Sequence, residues 1–242
     1  MERKNAWEKY DDKQRAQVFS FAEEYKTFLS ECKTERECVS GLKARAAAAG
    51  FLDMEEVLDK GIQLKPGDRV FADNKGKSMA LFVIGSQPME VGMNILGAHI
   101  DSPRLDLKQN PLYEDTGLVL LDTHYYGGVK KYQWVTLPLA LHGIVAKKDG
   151  TVVEVNIGEK PEDPVFGVSD LLIHLSAAQM EKKAAKVIEG EALDVLIGSM
   201  PLKVEASDDE KTKSDKKAVQ ANILNILKEQ YDICLLYTSR CV

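Results

Sequence analysis

Residues 94–103 read Asn94-Ile95-Leu96-Gly97-Ala98-His99-Ile100-Asp101-Ser102-Pro103, a short apolar run that gives way to ionisable side chains. The run 94–98 predicts a central strand of an α/β sheet, apolar because both faces of such a sheet are covered, with chemistry gathered at the strand's end. Side chains alternate along extended backbone, so His99 and Asp101 project to the same side. A carboxylate that accepts one ring N–H of an imidazole sets its tautomer and leaves the other nitrogen free for a metal ion. Alternatively, Asp101 acts indirectly, through the field it places on a metal and its water. By itself His-x-Asp is a weak pattern, equally satisfied by an exposed histidine beside a turn-forming aspartate.

Upstream, Val18, Phe21, Ala22, Tyr25, Phe28 and Leu29 recur at spacings of three and four, which predicts a helix over 13–32. Thr34 and Glu37 predict a capping box with Thr34 as N-cap; Val39, Leu42 and Ala46 supply the inner face, and Gly50 ends the helix. Cys32 and Cys38 are expected to pack within these helices. After the turn Lys65-Pro66-Gly67-Asp68, a strand from Arg69, a turn over 73–77 and a buried strand within 78–85 follow.

From Leu118 onward the texture is β-rich. Strands are expected at 118–121, 132–135, 139–145 and 151–157, with Lys148-Asp149-Gly150 turning a hairpin. Residues 206–217 hold no large apolar side chain and read as a solvated loop. Val219, Ile223, Ile226 and Leu227 then resume a helical period. This change of texture predicts a second domain.

Composition sets the outer bounds. The 242 residues include 44% hydrophobic and 29% charged side chains, the balance of a folded globular chain. With 32 basic against 38 acidic residues the net charge is −6, which argues against nucleic acid as a partner, since binding a phosphate backbone needs a basic footprint. No run approaches the roughly 18 apolar residues of a membrane span, and the first residues lack a signal-like apolar stretch. Cysteines at 32, 38, 234 and 241 form no C-x-x-C pair, so reduced thiols in a cytoplasmic protein are expected.

Cys234 to Val242 neither completes a helix nor caps one. One set of codons for Leu236 to Val242 with a stop, TTA TAC ACA TCT AGA TGT GTA TAA, is its own reverse complement and resembles a translated sequencing adapter joined to its inverted copy. The expectation is that 234–242 is adapter-derived and that the natural frame was cut near Ile233.

The segment around His99 resembles the aspartyl aminopeptidase and vacuolar aminopeptidase I family, metallopeptidase family eighteen, in which A-H-x-D at a strand end begins the metal site. The resemblance runs on through Phe28-Leu29-Ser30, residues 33–37, Ala49-Gly50-Phe51, residues 74–77, Tyr126-Gly127-Gly128, Trp134 and residues 139–143. It implies an α/β fold in which 1–105 is the first, incomplete segment of a di-zinc aminopeptidase catalytic domain. Residues 106–233 would be an inserted β-rich dimerisation domain, itself incomplete. It further implies a peptide substrate, removal of N-terminal amino acids, two zinc ions, and a homo-oligomer built of dimers or a dodecamer. His99 would be a metal ligand and Asp101 the catalytic carboxylate supporting it. The other zinc ligands and the general-base Glu lie, in the family, beyond the end of this chain. One His and one Asp cannot hold two zinc ions, so the chain as it stands is expected to be inactive. Many members carry Asp-Arg where this chain has Thr136-Leu137, which weakens the transfer of the family's preference for acidic N-terminal residues and leaves the substrate range, acidic residues included, open. The alternative reading is a non-enzymatic dimerisation protein that modulates full-length peptidases.

Other candidates have plainer readings. His124 is either a loop residue reaching a neighbouring subunit's active site or a structural histidine near a turn. His142 is expected at packing or an interface, and His174, among Leu171, Leu172, Ile173 and Leu175, in a core or an interface. Glu23-Glu24 and Glu55-Glu56 belong to solvated helix faces.

Overall fold

The computed structural model describes residues 4–201 and 218–231. The expectations for 206–217 and 234–242 fall outside them. The chain divides into two compact units, Met1–Ser102 and Pro103–Val242.

The first unit opens with α1 (Asp12–Glu31), whose N-cap Asp11 forms a capping box with Gln14. Helix α2 (Glu35–Ala48) begins at Thr34: its side chain accepts from the Glu37 N–H, and Glu37 reaches back to the Thr34 N–H. Gly50 ends it in the left-handed region at φ +80°, while Phe51 N–H donates to the Ala46 carbonyl. Both ends match the expectation because capping is written in residues within four positions of each other. Phe28 and Cys32 of the α1 end lie against Gly41 of α2, where a Cβ would meet the Cys32 Sγ at 3.0 Å. The close approach of these helices therefore favours glycine, since a larger residue would push the Cys32 thiol and the Phe28 ring aside.

Strand β1 (Leu52–Asp53), helix α3 (Met54–Asp59), β2 (Arg69–Asn74) and β3 (Ser78–Val83) complete this unit's regular elements, with a sheet order β1-β2-β3. Cys38, Val39, Ala46, Val57, Val70 and Phe71 form its buried apolar set among the described residues. The expected buried strand is instead an edge. β3 pairs with β2 alone among the described residues, and Phe82 and Val83 stand 46% and 65% exposed. The stripe of α1 is likewise left open, with Phe21, Tyr25 and Leu29 exposed.

In the second unit β4 (Arg104–Asp115), β5 (Leu118–Tyr126) and β8 (Val195–Gly198) form one antiparallel sheet, while β6 (Leu141–Ala146) and β7 (Val152–Ile157) form a hairpin around the 148–150 turn. A short helix, α4 (Ala177–Met180), and α5 (Ala218–Tyr231) are its helices. Strand β4 has no counterpart in the sequence reading. A bulge hides its alternation: residues 108–111 oppose the single residue Asp122, with Asn110 at φ +54° before Pro111, which has no N–H to pair. The strand expected at 132–135 is instead a 3-10 turn, Lys131–Gln133, followed by a single bridge from Val135 to Val168. Thr136, at φ +62°, turns the backbone out of extension there.

The core of this unit joins Leu121, Val135, Phe166, Val168, Ile188, Leu193 and Val195. Its segment around Leu193 is tied to the sheet by polar bonds. Thr123 Oγ1 donates to the Leu193 carbonyl at 2.6 Å, and Tyr113 Oη donates to Asp194 Oδ2 at 2.6 Å. Lys108, at the bulge, pairs with Asp122 at 2.8 Å and with Glu191.

Candidate functional site

Residues 93–103 carry no regular structure, so the expected central strand at 94–98 is absent. A strand exists only where a neighbour completes its ladder, and no described strand pairs with this run. Ile95 is 78% exposed and Leu96 is fully so. An apolar run of this kind is extended by composition yet lacks the sheet that its composition suits.

At its end the two expected side chains meet. His99 Nδ1 lies 3.1 Å from Asp101 Oδ1 and 3.0 Å from the Asp101 carbonyl oxygen. Beside an ionised carboxylate, neither of those oxygens can donate, so Nδ1 must carry the proton. In the neutral ring Nε2 is then left with its lone pair, on a side chain that is 84% exposed. This is the tautomer and presentation a divalent metal requires of an imidazole. The contact arises without the strand: two residues of extended-like backbone suffice to bring the ring and the carboxylate together.

As a metal site the donor set is incomplete. Zinc in a catalytic site takes about three protein ligands, and among the described residues no group of three or more His, Cys, Asp or Glu side chains could hold an ion. The pair fits zinc as one arm of a site and does not fit it as a whole site. Two shallow concavities lie elsewhere. One, of about 420 Å³, is bounded by Ala49, Gly50 and Arg69, and one, of about 530 Å³, by Leu137, Phe166 and Leu196; neither includes His99 or Asp101.

The remaining candidates are dispersed. His124 sits on β5 opposite Asp106 rather than on a loop, exposed and stacked on Tyr125 at 5.3 Å. The His142 side chain on β6 is 8% exposed, and its Nε2 lies 2.8 Å from Oε1 of Glu159, an exposed residue just past the end of β7. His174 is exposed in a 3-10 turn, so the core alternative for it is corrected. Glu23, Glu24, Glu55 and Glu56 are exposed on helices, with Lys26 and Lys60 bridging to Glu23 and Glu56. One contact near the site escaped the sequence reading, which placed Cys38 in helix packing alone. Cys38 of α2 is 6% exposed, and its thiol reaches the Ile100 carbonyl at 3.7 Å. Sixty-two positions separate the two, and no local pattern encodes such a contact.

Residues 28–236 match the family described as aminopeptidase I zinc metalloprotease (M18). A probable M18 family aminopeptidase 1 of Clostridium acetobutylicum is 60% identical over 232 residues, which are 96% of this chain and 48% of that protein. The crystal structure of aminopeptidase I from Clostridium acetobutylicum superposes with a TM-score of 0.81 at 58% identity, covering 97% of this chain and 50% of that one. An M18 aminopeptidase crystal structure from Thermotoga maritima gives a TM-score of 0.83 at 40% identity, over 97% of this chain and 48% of that one. The chain thus spans about half the length of the relatives it matches.

Proposed function

The chain belongs to the M18 family of aminopeptidase I zinc metalloproteases, and from that premise we propose that it is part of an enzyme that removes N-terminal amino acids from peptides, to which it contributes His99 as a zinc ligand and Asp101 as the carboxylate that orients it. The observation that carries this reading is the Nδ1 pairing, which commits one ring nitrogen to Asp101 and leaves Nε2 free on an exposed ring. Zinc, when bound, would supply Lewis acidity and an acidified water. The work of this chain's own residues is narrower. Asp101 holds the Nδ1 proton, fixes the ring plane, and raises the basicity of Nε2.

The other donors of a two-zinc site belong, on this reading, to polypeptide outside these 242 residues. The same arrangement accounts for the open edge of β3 and the bare apolar run before His99, which are surfaces suited to burial in a larger catalytic domain. Residues 1–105 then belong to that domain, 106–233 to an inserted dimerisation domain, and 234–242 to an adapter-derived tail. No described helix is long and apolar enough to cross a membrane, and the reading places the enzyme in the cytoplasm as a homo-oligomer.

A direct test joins residues 1–233 to the second half of the 60%-identical Clostridium relative and assays release of the N-terminal residue from short peptides. Turnover with zinc that is lost by at least 100-fold in His99→Ala supports the reading. An active fusion indifferent to His99→Ala overturns the assignment of the ligand.

A further inference from the structure

The arm bearing His99 and Asp101 has no strand to hold it among the described residues, yet the ring and the carboxylate are registered to hydrogen-bonding distance. A peptide group between them is contacted from α2. The Cys38 Sγ lies 3.7 Å from the Ile100 carbonyl oxygen and 3.8 Å from the Cys32 carbonyl oxygen. Neither carbonyl can donate, so the single S–H is the donor and is shared between the two oxygens, the Ile100 oxygen lying marginally nearer.

We infer that Cys38 is a positioning residue for the metal-binding arm, its S–H directing the Ile100 carbonyl and thereby the placement of Asp101 against His99. The peptide unit is planar, so the direction of the Ile100 C=O also sets the plane in which the Asp101 nitrogen and Cα lie. Asp101 in turn presents both its side-chain and main-chain oxygens to His99 Nδ1. The path runs from the capped and rigid α2, through a thiol, to one peptide plane, to a carboxylate, to the imidazole. Burial pushes the Cys38 thiol above its ordinary value, so it keeps the proton the contact needs. An S–H donor is weak, and its role is directional: it selects one orientation of a backbone that lacks a ladder to select it.

The inference rests on the proposed ligand role of His99, but its test needs neither metal nor substrate, so either can fail alone. Ile-Asp occurs once in the 242 residues. Labelling isoleucine carbonyls with ¹³C and aspartate nitrogens with ¹⁵N therefore gives a single correlated signal, from Ile100 and Asp101. Ring ¹⁵N shifts report the tautomer of His99, identified by its loss in His99→Gln. Cys38→Val removes the donor and keeps the position apolar, at the cost of one added methyl group. It is expected to shift the Ile100 carbonyl signal and to move His99 from the Nδ1–H form toward a mixture of tautomers. Cys38→Ser, which retains a donor on a shorter bond, is expected to restore the wild-type ring shifts in part. Cys38→Ala serves as a second donor-free variant should valine unfold the unit. Unchanged His99 shifts in a folded donor-free variant overturn the inference, as does equal disruption by serine, alanine and valine.

Discussion

Tyr113 Oη donates to Asp194 Oδ2 at 2.6 Å, joining β4 to the residue that precedes β8 across 81 positions of sequence. Asp194 Oδ1 also accepts from the Thr123 N–H at 3.3 Å, so one carboxylate ties together two strands and the segment that closes the core over Leu193. Tyr113→Phe removes the donor from a charged acceptor and is expected to cost the second unit about 2 kcal/mol. Urea unfolding followed by Trp134 fluorescence in a Trp7→Phe background measures it, and no change in midpoint would refute the assignment.

The same pair has a signature in alkali. Burial, and then the Asp194 carboxylate, push the Tyr113 phenol up to about 12 from its ordinary 10. A raised acid favours the native state while it is protonated, so the contribution is fully present below about pH 10 and lost as the pH rises through about 12. Phenolate absorbance should show one tyrosine titrating late, and Asp194→Asn should bring it earlier.

Asp73 predicts the opposite slope in the first unit. The Gly76 N–H, donating at 2.7 Å, and then Lys43, at 3.0 Å, hold this carboxyl below its ordinary 3.8. Its contribution is present above that value and lost as the pH falls through the lower native value. In Asp73→Ala the acid limb of the stability profile should flatten, read as a smaller drop in melting temperature between pH 5 and pH 3 than in the wild type.

Thr34→Ala removes the side chain that accepts from the Glu37 N–H and is expected to destabilise α2 by about 1 kcal/mol. Amide exchange in the first turn of α2 should quicken about fivefold, the same energy expressed as a rate. Equal exchange in both proteins would show that the box contributes nothing.

Gly158 sits at φ +110°, and a Cβ there would meet the Ala140 Cα at 3.0 Å and the Leu139 carbonyl at 3.2 Å. These are backbone atoms, so Gly158→Ala combines strain with a clash that no rotamer relieves, costing about 2 kcal/mol or more. A melting temperature within a degree of the wild type would contradict this.

Zinc titrated into the 242-residue chain alone should bind tightly at less than one equivalent, and no aminoacyl substrate should turn over, because the described residues offer one arm of a site. Calorimetry checks the first statement and a peptide assay the second. Stoichiometric tight binding with turnover would defeat it.

The legible parts of this protein were those encoded over a few residues. Thr34 with Glu37, Gly50 after α2 and the 148–150 turn concern backbone groups that must be satisfied locally, and the spacing of His99 and Asp101 concerns two side chains only two positions apart. Strand β4 was hidden because a bulge and Pro111 interrupt its period, and 132–135 was misread because β-branched and aromatic residues favour extension without compelling it. The apolar run 94–98 has the composition of a central strand, but pairing is a property of neighbours.

Sequence by itself determined the helix ends, the hairpin and the family, and it set His99 and Asp101 two positions apart, since each depends on residues in short reach or on a pattern shared by relatives. Tertiary structure alone decided that Cys38 reaches Ile100 and that Asp194 holds Tyr113. These are contacts between positions far apart in the chain, and only the folded path of the backbone brings such positions to bonding distance.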